Sequence, residues 1–168
     1  MASYISHLFV EVLVAPSFSD EALAILKKKK NLRVLQLEHI TKPKAILSGR
    51  FIGSDLLVQT KDAKEITKDD IECVTKARVT DEDIEELLFA WKVVKHVKSN
   101  AILTSSNQTT CGIGGGQVSR VDATQIALRK SGEHKNLVLA SDAFFPFKDS
   151  IEILQGRNVK AIIQPGGS

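Results

Sequence analysis

Four glycines fall within five residues of the stretch CGIGGGQVSR, which runs from Cys111 to Arg120. Glycines before a helix let a ligand come close to the backbone, and the N–H groups at a helix start attract anions. Arg120 would add a positive charge there. However, the dinucleotide pattern G-x-G-x-x-G fails because Gln117 stands where the third glycine is needed, and the Gly-Lys-Ser/Thr ending of a P-loop is missing. From the residues alone, an anion or nucleotide site and a simple tight turn are equal alternatives.

A second candidate is the stretch SDAFFPFKD, from Ser141 to Asp149, which sets three phenylalanines around a proline. Such a loop could form an apolar wall for a flat ring, with an aspartate accepting hydrogen bonds from the ring's edge. The alternative is a plug that fills the core between a strand and a helix, with Asp149 in the first turn of that helix. The composition alone slightly favours the plug.

Few residues stand in patterns that suit acid–base or metal chemistry. His96 in the stretch KHVKSN could transfer a proton, but its place at the end of a predicted helix favours a residue that faces solvent. Asn100, at the predicted entry of a strand, could hold a substrate through its amide group. Cys73 and Cys111 are far apart and fit no metal or redox spacing, which indicates a reduced, cytoplasmic protein.

Apolar patterning alternates between helices and strands, which predicts an α/β layered fold. The predicted helices begin at Ser19, Thr80, Ser119 and Lys148. The predicted strands are Leu8–Ala15, Leu32–Leu37, Ala45–Leu47, Asp55–Gln59, Ala101–Thr104, Thr110–Ile113, Leu137–Ala140 and Val159–Ile163. The first of them is a nearly continuous apolar run, which is typical of a buried strand.

Composition argues against nucleic acid and membrane as partners. The net charge is only +3, and aromatic residues make up 5% of the chain, which is few for a platform that stacks bases. No apolar run reaches the length that spans a bilayer, and the start of the chain lacks the features of a signal peptide. The run Lys27–Lys30 lies at the end of a predicted helix, where it complements the helix dipole.

Four segments resemble, in their residues and in their order along the chain, motifs of the transformylase domain of the AICAR transformylase/IMP cyclohydrolase family. They are VKSNAIL, GIGGGQVSRVD, SDAFFPFKD and IIQPGGS. The resemblance implies that residues 4–168 are the second, deaminase-like half of that domain without its C-terminal segment, and that residues 1–3 are start or added residues. It implies a three-layer α/β/α, cytidine-deaminase-like fold with a mixed sheet. It also implies homodimers in the full-length enzyme.

The reaction implied by the resemblance belongs to purine (IMP) biosynthesis. A formyl group passes from 10-formyltetrahydrofolate, the co-substrate, to the amine of AICAR ribonucleotide. The matching AICAR contacts are Asn100, Arg120 and Phe144. The matching folate contacts are Val121 through its backbone, Asp149 and Ser168. Asp142 matches a residue linked with a structural potassium ion, whereas the zinc signature of true deaminases, H-x-E with P-C-x-x-C, is missing.

No residue of this chain is predicted to be catalytic. The family's catalytic Lys-His pair belongs to the other half of the transformylase domain, and Lys95-His96 imitates it inside the second-half motif. The cyclohydrolase domain is likewise expected outside this chain. We therefore expect a formyltransferase fragment that is inactive alone. The alternatives are a stand-alone nucleotide-binding module and a structural fragment without catalysis.

Overall fold

The computed structural model describes residues 1–38 and 47–167, which fold into helices and β-sheets and confirm the predicted α/β class. The chain divides into two compact units, Met1–Ala63 and Lys64–Ser168. No helix in the described ranges is long and apolar enough to cross a bilayer.

The first unit contains two small sheets. Its elements are α1 (Ala2–His7), β1 (Val12–Ala15), α2 (Asp20–Leu26), β2 (Arg33–Gln36), β3 (Leu47–Ile52) and β4 (Asp55–Thr60). β1 and β2 pair in parallel, and β3 and β4 form an antiparallel hairpin. Oγ of Ser19 accepts a hydrogen bond from the N–H of Ala22 at 3.2 Å, so the predicted start of α2 is confirmed.

The prediction of a buried strand from Leu8 is wrong in two respects. β1 begins only at Val12. Leu8, at the start of the apolar run, is instead the C-cap of α1, and its N–H donates to the carbonyl of Ile5 at 3.1 Å. β1 is also not buried, since Val12 is 50% and Val14 is 45% exposed in a sheet of two strands. The predicted strand at residues 45–47 is described only from residue 47, where β3 begins.

The second unit is built on one four-stranded sheet. Its elements are a 3₁₀ turn (Lys68–Asp70), α3 (Asp81–Val94), β5 (Ile102–Ser106), β6 (Thr109–Gly114), α4 (Arg120–Ser131), β7 (Leu137–Ser141), α5 (Asp149–Glu152) and β8 (Val159–Ile163). The strand order is β6-β5-β7-β8; β5 is antiparallel to both neighbours, and β7 is parallel to β8. The sheet is therefore mixed, as predicted.

Two apolar clusters sandwich this sheet. Leu103 and Val138 pack with Leu87 and Val94 of α3. The neighbouring strand residues Ile102 and Leu139 pack instead with Ala123 and Ala127 of α4. Successive residues of a strand point to opposite faces, so α3 and α4 cover opposite faces of the sheet.

A buried carboxylate holds the turn between β5 and β6. Glu86 of α3 is 8% exposed. It accepts hydrogen bonds from Oγ of Ser105 at 2.5 Å and from the N–H of Gln108 at 2.7 Å. Asn107 and Gln108 both have φ of 52°, a backbone conformation that residues other than glycine rarely adopt. Glu86 thus stabilises a turn that would otherwise be unfavourable.

Glycines in β6 let α4 approach the sheet closely. A Cβ at Gly112 would lie 2.1 Å from the carbonyl oxygen of Ala127, and one at Gly114 would lie 2.0 Å from that of Ala123. No real Cβ comes so near to a backbone oxygen. The glycine pattern of β6 is therefore a packing requirement of α4.

We expect Gly114→Ala to destabilise the protein by about 1–3 kcal/mol, the usual cost of overpacking, because the helix backbone cannot yield as a flexible side chain can. Urea unfolding followed by far-UV circular dichroism measures this change. Gly166→Ala is the matched control, since a Cβ there meets no atom within 4 Å. Equal stability of the two variants would contradict this account of the glycine pattern.

Candidate functional site

A buried ion pair joins the start of α4 to the residue that follows β7. Nη1 of Arg120 lies 2.6 Å from Oδ1 of Asp142, and the two side chains are only 12% and 13% exposed. The same nitrogen donates to Oγ of Ser141 at 2.9 Å. Charges removed from water in this way are stable only when further hydrogen bonds complete the pair.

Asn100 supplies one of these bonds. Nη2 of Arg120 donates to Oδ1 of Asn100 at 2.9 Å. Nδ2 of Asn100 donates to the backbone carbonyls of Gln117 at 3.0 Å and Val118 at 3.1 Å. Both amide hydrogens and the amide oxygen of Asn100 therefore have partners, and the orientation of the side chain is fixed.

Asp142 also holds the start of β5. Its Oδ1 accepts a hydrogen bond from the N–H of Ala101 at 3.1 Å, and its Oδ2 accepts one from Oγ of Ser99. Burial raises the pKa of Asp142, but the hydrogen bond from Ser99 and the contacts with Arg120 and Ala101 outweigh it and hold the pKa below its usual value. Asp142 is therefore ionised at neutral pH.

The position of Arg120 is set by the turn and cap before it. Oγ of Ser119 accepts a hydrogen bond from the N–H of Asp122 at 3.0 Å, which caps α4 and confirms its predicted start. Gly116, with φ of 67°, makes the turn, and its N–H donates to the carbonyl of Lys98 at 2.6 Å. The glycine stretch acts through packing and turn conformation, and the charge is carried by Arg120.

The loop that carries Phe144, Phe145 and Phe147, here called the phenylalanine loop, places one ring in the core and two at the surface. Phe145 is half-buried and packs against Ile102 and Leu139, so this ring is the plug that the composition favours. In contrast, 38% of Phe144 and 72% of Phe147 are exposed. Phe144 therefore keeps surface that a ligand can contact.

Of the predicted site residues, Asn100, Arg120 and Asp142 meet in one hydrogen-bonded cluster. Val121 follows Arg120 in the first turn of α4 and is half-buried. Phe144 lies two residues beyond Asp142 at the start of the phenylalanine loop.

The remaining predicted residues lie at the edges of this region. Asp149 is the exposed first residue of α5, and its Oδ1 accepts a hydrogen bond from the N–H of Ser150 at 2.6 Å. Ser168 lies outside the described residues. His96 lies just beyond the end of α3 and is exposed, as its sequence position indicates.

Four residues that position the site were not identified from the sequence: Ser99, Ser141, Gln164 and Gly167. Ser141 carried a signal, because the polar pair Ser141-Asp142 directly after the apolar run LVLA marks the end of a buried strand. Gln164 and Gly167 carried none, since their contacts with the phenylalanine loop bridge about twenty residues of chain.

No group of three or more His, Cys, Asp or Glu side chains able to hold a metal occurs within the part of the chain that the structure describes. Both oxygens of Asp142 already accept hydrogen bonds, and Arg120 brings a positive charge to one of them. This arrangement opposes a second cation at Asp142. The assignment of a potassium ion to Asp142 stays a prediction.

The fold and the site define an α/β protein in which a polar cluster and an aromatic loop lie at one end of a mixed sheet, where β5 begins and β7 ends. A family model described as AICARFT/IMPCHase bienzyme matches residues 1–130. The chain belongs to this family, and the resemblance drawn from its motifs is confirmed.

Curated relatives match nearly the whole chain in sequence. The Bifunctional purine biosynthesis protein PurH of Oceanobacillus iheyensis is 45% identical over 168 residues, which are 99% of this chain and 33% of the relative. The protein of the same name from Petrotoga mobilis is 49% identical over 161 residues, 96% of this chain and 31% of the relative. The chain thus spans about a third of the length of the curated relatives it matches.

We expect Asp142→Asn to lower the free energy of unfolding at pH 7 by about 1.5–3 kcal/mol, the contribution of hydrogen bonds to a charged group. The folded pKa of Asp142 is depressed, so its stabilisation is present above the ordinary aspartate pKa of about 3.9 and is lost as the pH falls through the folded value. The difference between wild type and variant should therefore be constant above about pH 5 and shrink below about pH 4.

Urea unfolding between pH 3 and pH 7 measures this difference, with the exposed residue Asp69 changed to Asn as the control. A difference that does not change with pH would contradict the role of the ionised carboxylate.

Proposed function

We propose that this chain is the second, cytidine-deaminase-like half of an AICAR transformylase domain, spanning residues 4–168 in a three-layer α/β/α arrangement. Its role is to position AICAR ribonucleotide and 10-formyltetrahydrofolate for formyl transfer in purine biosynthesis. The observation that carries the proposal is the contact of Asn100 and Arg120 in one cluster beside the exposed ring of Phe144. Membership of the AICARFT/IMPCHase family supports it.

The net charge of the cluster indicates which kind of ligand group Arg120 can bind. Arg120 is paired with Asp142, so the two side chains are together neutral. Its guanidinium has five N–H groups, of which three donate to Ser141, Asp142 and Asn100. The remaining N–H groups suit an uncharged acceptor such as the carboxamide oxygen of AICAR better than a phosphate, which requires net positive charge.

Phe144 and Asn100 would complete the nucleotide subsite. The imidazole of AICAR is flat and apolar on its faces, so it can stack on the exposed surface of Phe144. The amide hydrogens of Asn100 point to the carbonyls of Gln117 and Val118. Asn100 therefore contacts substrate through a free lone pair of its oxygen or by exchanging one of these partners.

The folate would bind beside α5. The exposed carboxylate of Asp149 suits the paired N–H donors of the pterin's amino edge. The backbone of Val121, in the first turn of α4, would contact the same ligand. Ser168 would add a further contact.

Chemistry at the AICAR amine needs more than this chain contains. The lone pair of the amine is delocalised into the ring and the carboxamide, so attack on the formyl group requires a base for the amine proton and a donor for the developing oxyanion. We assign these roles to the Lys-His half of the longer polypeptide. Positioning by this half would lower the barrier by several kcal/mol, about 7 or more at best.

We also propose that the full-length protein is a cytoplasmic homodimer that carries IMP cyclohydrolase activity on a separate domain. The β3–β4 hairpin supports a larger assembly. Leu47, Phe51, Leu56 and Val58 share one face of the hairpin, and each is more than half exposed. Exposed apolar patches of this kind mark surfaces that other protein covers.

We expect Arg120→Ala to weaken binding of AICAR ribonucleotide by about 10- to 100-fold, the range for hydrogen bonds from a charged donor. Isothermal titration of this chain measures the affinity. Arg129→Ala is the matched control, because Arg129 lies exposed at the far end of the same helix. Unchanged affinity in the Arg120 variant would contradict the nucleotide subsite, and so would the absence of binding by a folded wild-type chain.

We expect Asp149→Asn to weaken binding of a reduced folate and to leave the affinity for AICAR unchanged, because only the carboxylate accepts two hydrogen bonds side by side. Titration with each ligand separately distinguishes the two effects. Glu152→Gln, on the same short helix, is the control. Equal losses for both ligands would exclude a specific folate contact at Asp149.

A further inference from the structure

One glycine lies directly against the ring of Phe144. A Cβ built on Gly167 would lie 2.5 Å from Cγ and 2.8 Å from Cδ2 of Phe144. The backbone of Gly167 therefore touches one side of the ring, and no other residue type fits without moving the ring. Nevertheless, 38% of Phe144 is exposed, so the contact leaves part of the ring free.

The backbone on either side of Phe144 is also held. Oγ of Ser141 donates to the carbonyl of Ala143 at 2.6 Å, which fixes the peptide before Phe144. The N–H of Phe145 donates to Oε1 of Gln164 at 2.8 Å, which fixes the peptide after it. Gln164 and Gly167 both belong to the segment that follows β8.

We propose that the segment Gln164–Gly167 positions Phe144 for stacking on the nucleotide, with Gly167 as the support behind the ring and Gln164 as the anchor of the loop backbone. The proposal rests on the proposed function, since it takes the flat base of AICAR ribonucleotide as the ligand of Phe144. Gly167 and Gln164 are positioning residues, because they act on the ligand only through the phenylalanine loop.

Preorganisation is the physical reason for such an arrangement. An aromatic side chain that is free to turn must be ordered when a ligand stacks on it, and the lost freedom reduces the affinity. Phe144 is ordered in advance by a backbone contact on one side and by two hydrogen bonds to its neighbours. The ligand then gains the stacking contact without this cost.

We expect Gly167→Ala to weaken AICAR ribonucleotide binding between about twofold and tenfold, the range that an aromatic contact contributes beyond its buried area. Gly166→Ala should leave the affinity unchanged, since a Cβ there meets nothing within 4 Å. In a chain that already carries Phe144→Ala, adding Gly167→Ala should cause no further loss. The same loss in both backgrounds would overturn the proposal, because the effect would not run through Phe144.

Gln164 provides a second test that does not enlarge a side chain at the ring. Gln164→Leu removes the acceptor of the Phe145 N–H and should weaken binding, whereas Gln164→Glu keeps an acceptor and should restore it. Equal affinities for these two variants would overturn the role of Gln164. Thermal unfolding of each variant shows whether a change in affinity follows a loss of folded protein.

A ligand-free measurement separates this inference from the proposed function. In chain labelled with 4-fluorophenylalanine, the ¹⁹F resonance of Phe144 is identified by its loss in Phe144→Leu. We expect this resonance to shift in Gly167→Ala and to stay in place in Gly166→Ala. If the wild-type chain binds no AICAR but Gly167→Ala still shifts the resonance, only the proposed function is contradicted. A resonance that does not move in Gly167→Ala would overturn the support by Gly167.

Discussion

The ion pair between Arg120 and Asp142 is the interaction on which the site depends. Two charges with little exposure to water are tolerated only when geometry and further hydrogen bonds satisfy them. Those partners come from the start of β5 and the end of β7, and Arg120 itself stands at the start of α4. Three elements must therefore be in place before the pair is stable. The pair therefore couples the local geometry of the site to the completion of the sheet.

Close packing of α4 on β6 is what brings Arg120 to Asp142. Gly112 and Gly114 remove the two side chains that would keep the helix away from the sheet. Ser119 then fixes where the helix begins, and the turn at Gly116 returns the chain toward Lys98 and Asn100. The glycine stretch, whose sequence suggests phosphate binding, thus determines how closely α4 packs on the sheet and where this helix begins.

Local rules predicted much of this fold. The helices that begin at Ser19, Thr80 and Ser119 could be predicted because capping depends on residues three positions apart. The extent and burial of β1 could not, because they depend on which chain segments lie beside it.

The same division holds for the site. Asn100, Arg120 and Asp142 could be singled out because they stand in segments that resemble the family's motifs, but nothing in the sequence indicated that the three side chains touch. Neither the pairing of Arg120 with Asp142 nor the contact of Gly167 with Phe144 could be predicted, because each joins residues more than twenty positions apart.

The first unit has a consequence for how this chain behaves in concentrated solution. In the described residues of that unit, each of the four strands has only one neighbour, so each presents an edge with unpaired backbone groups. Open edges beside exposed apolar side chains are templates for strand addition between molecules. These edges therefore favour association between folded molecules, and we expect the isolated chain to associate more as the protein concentration rises.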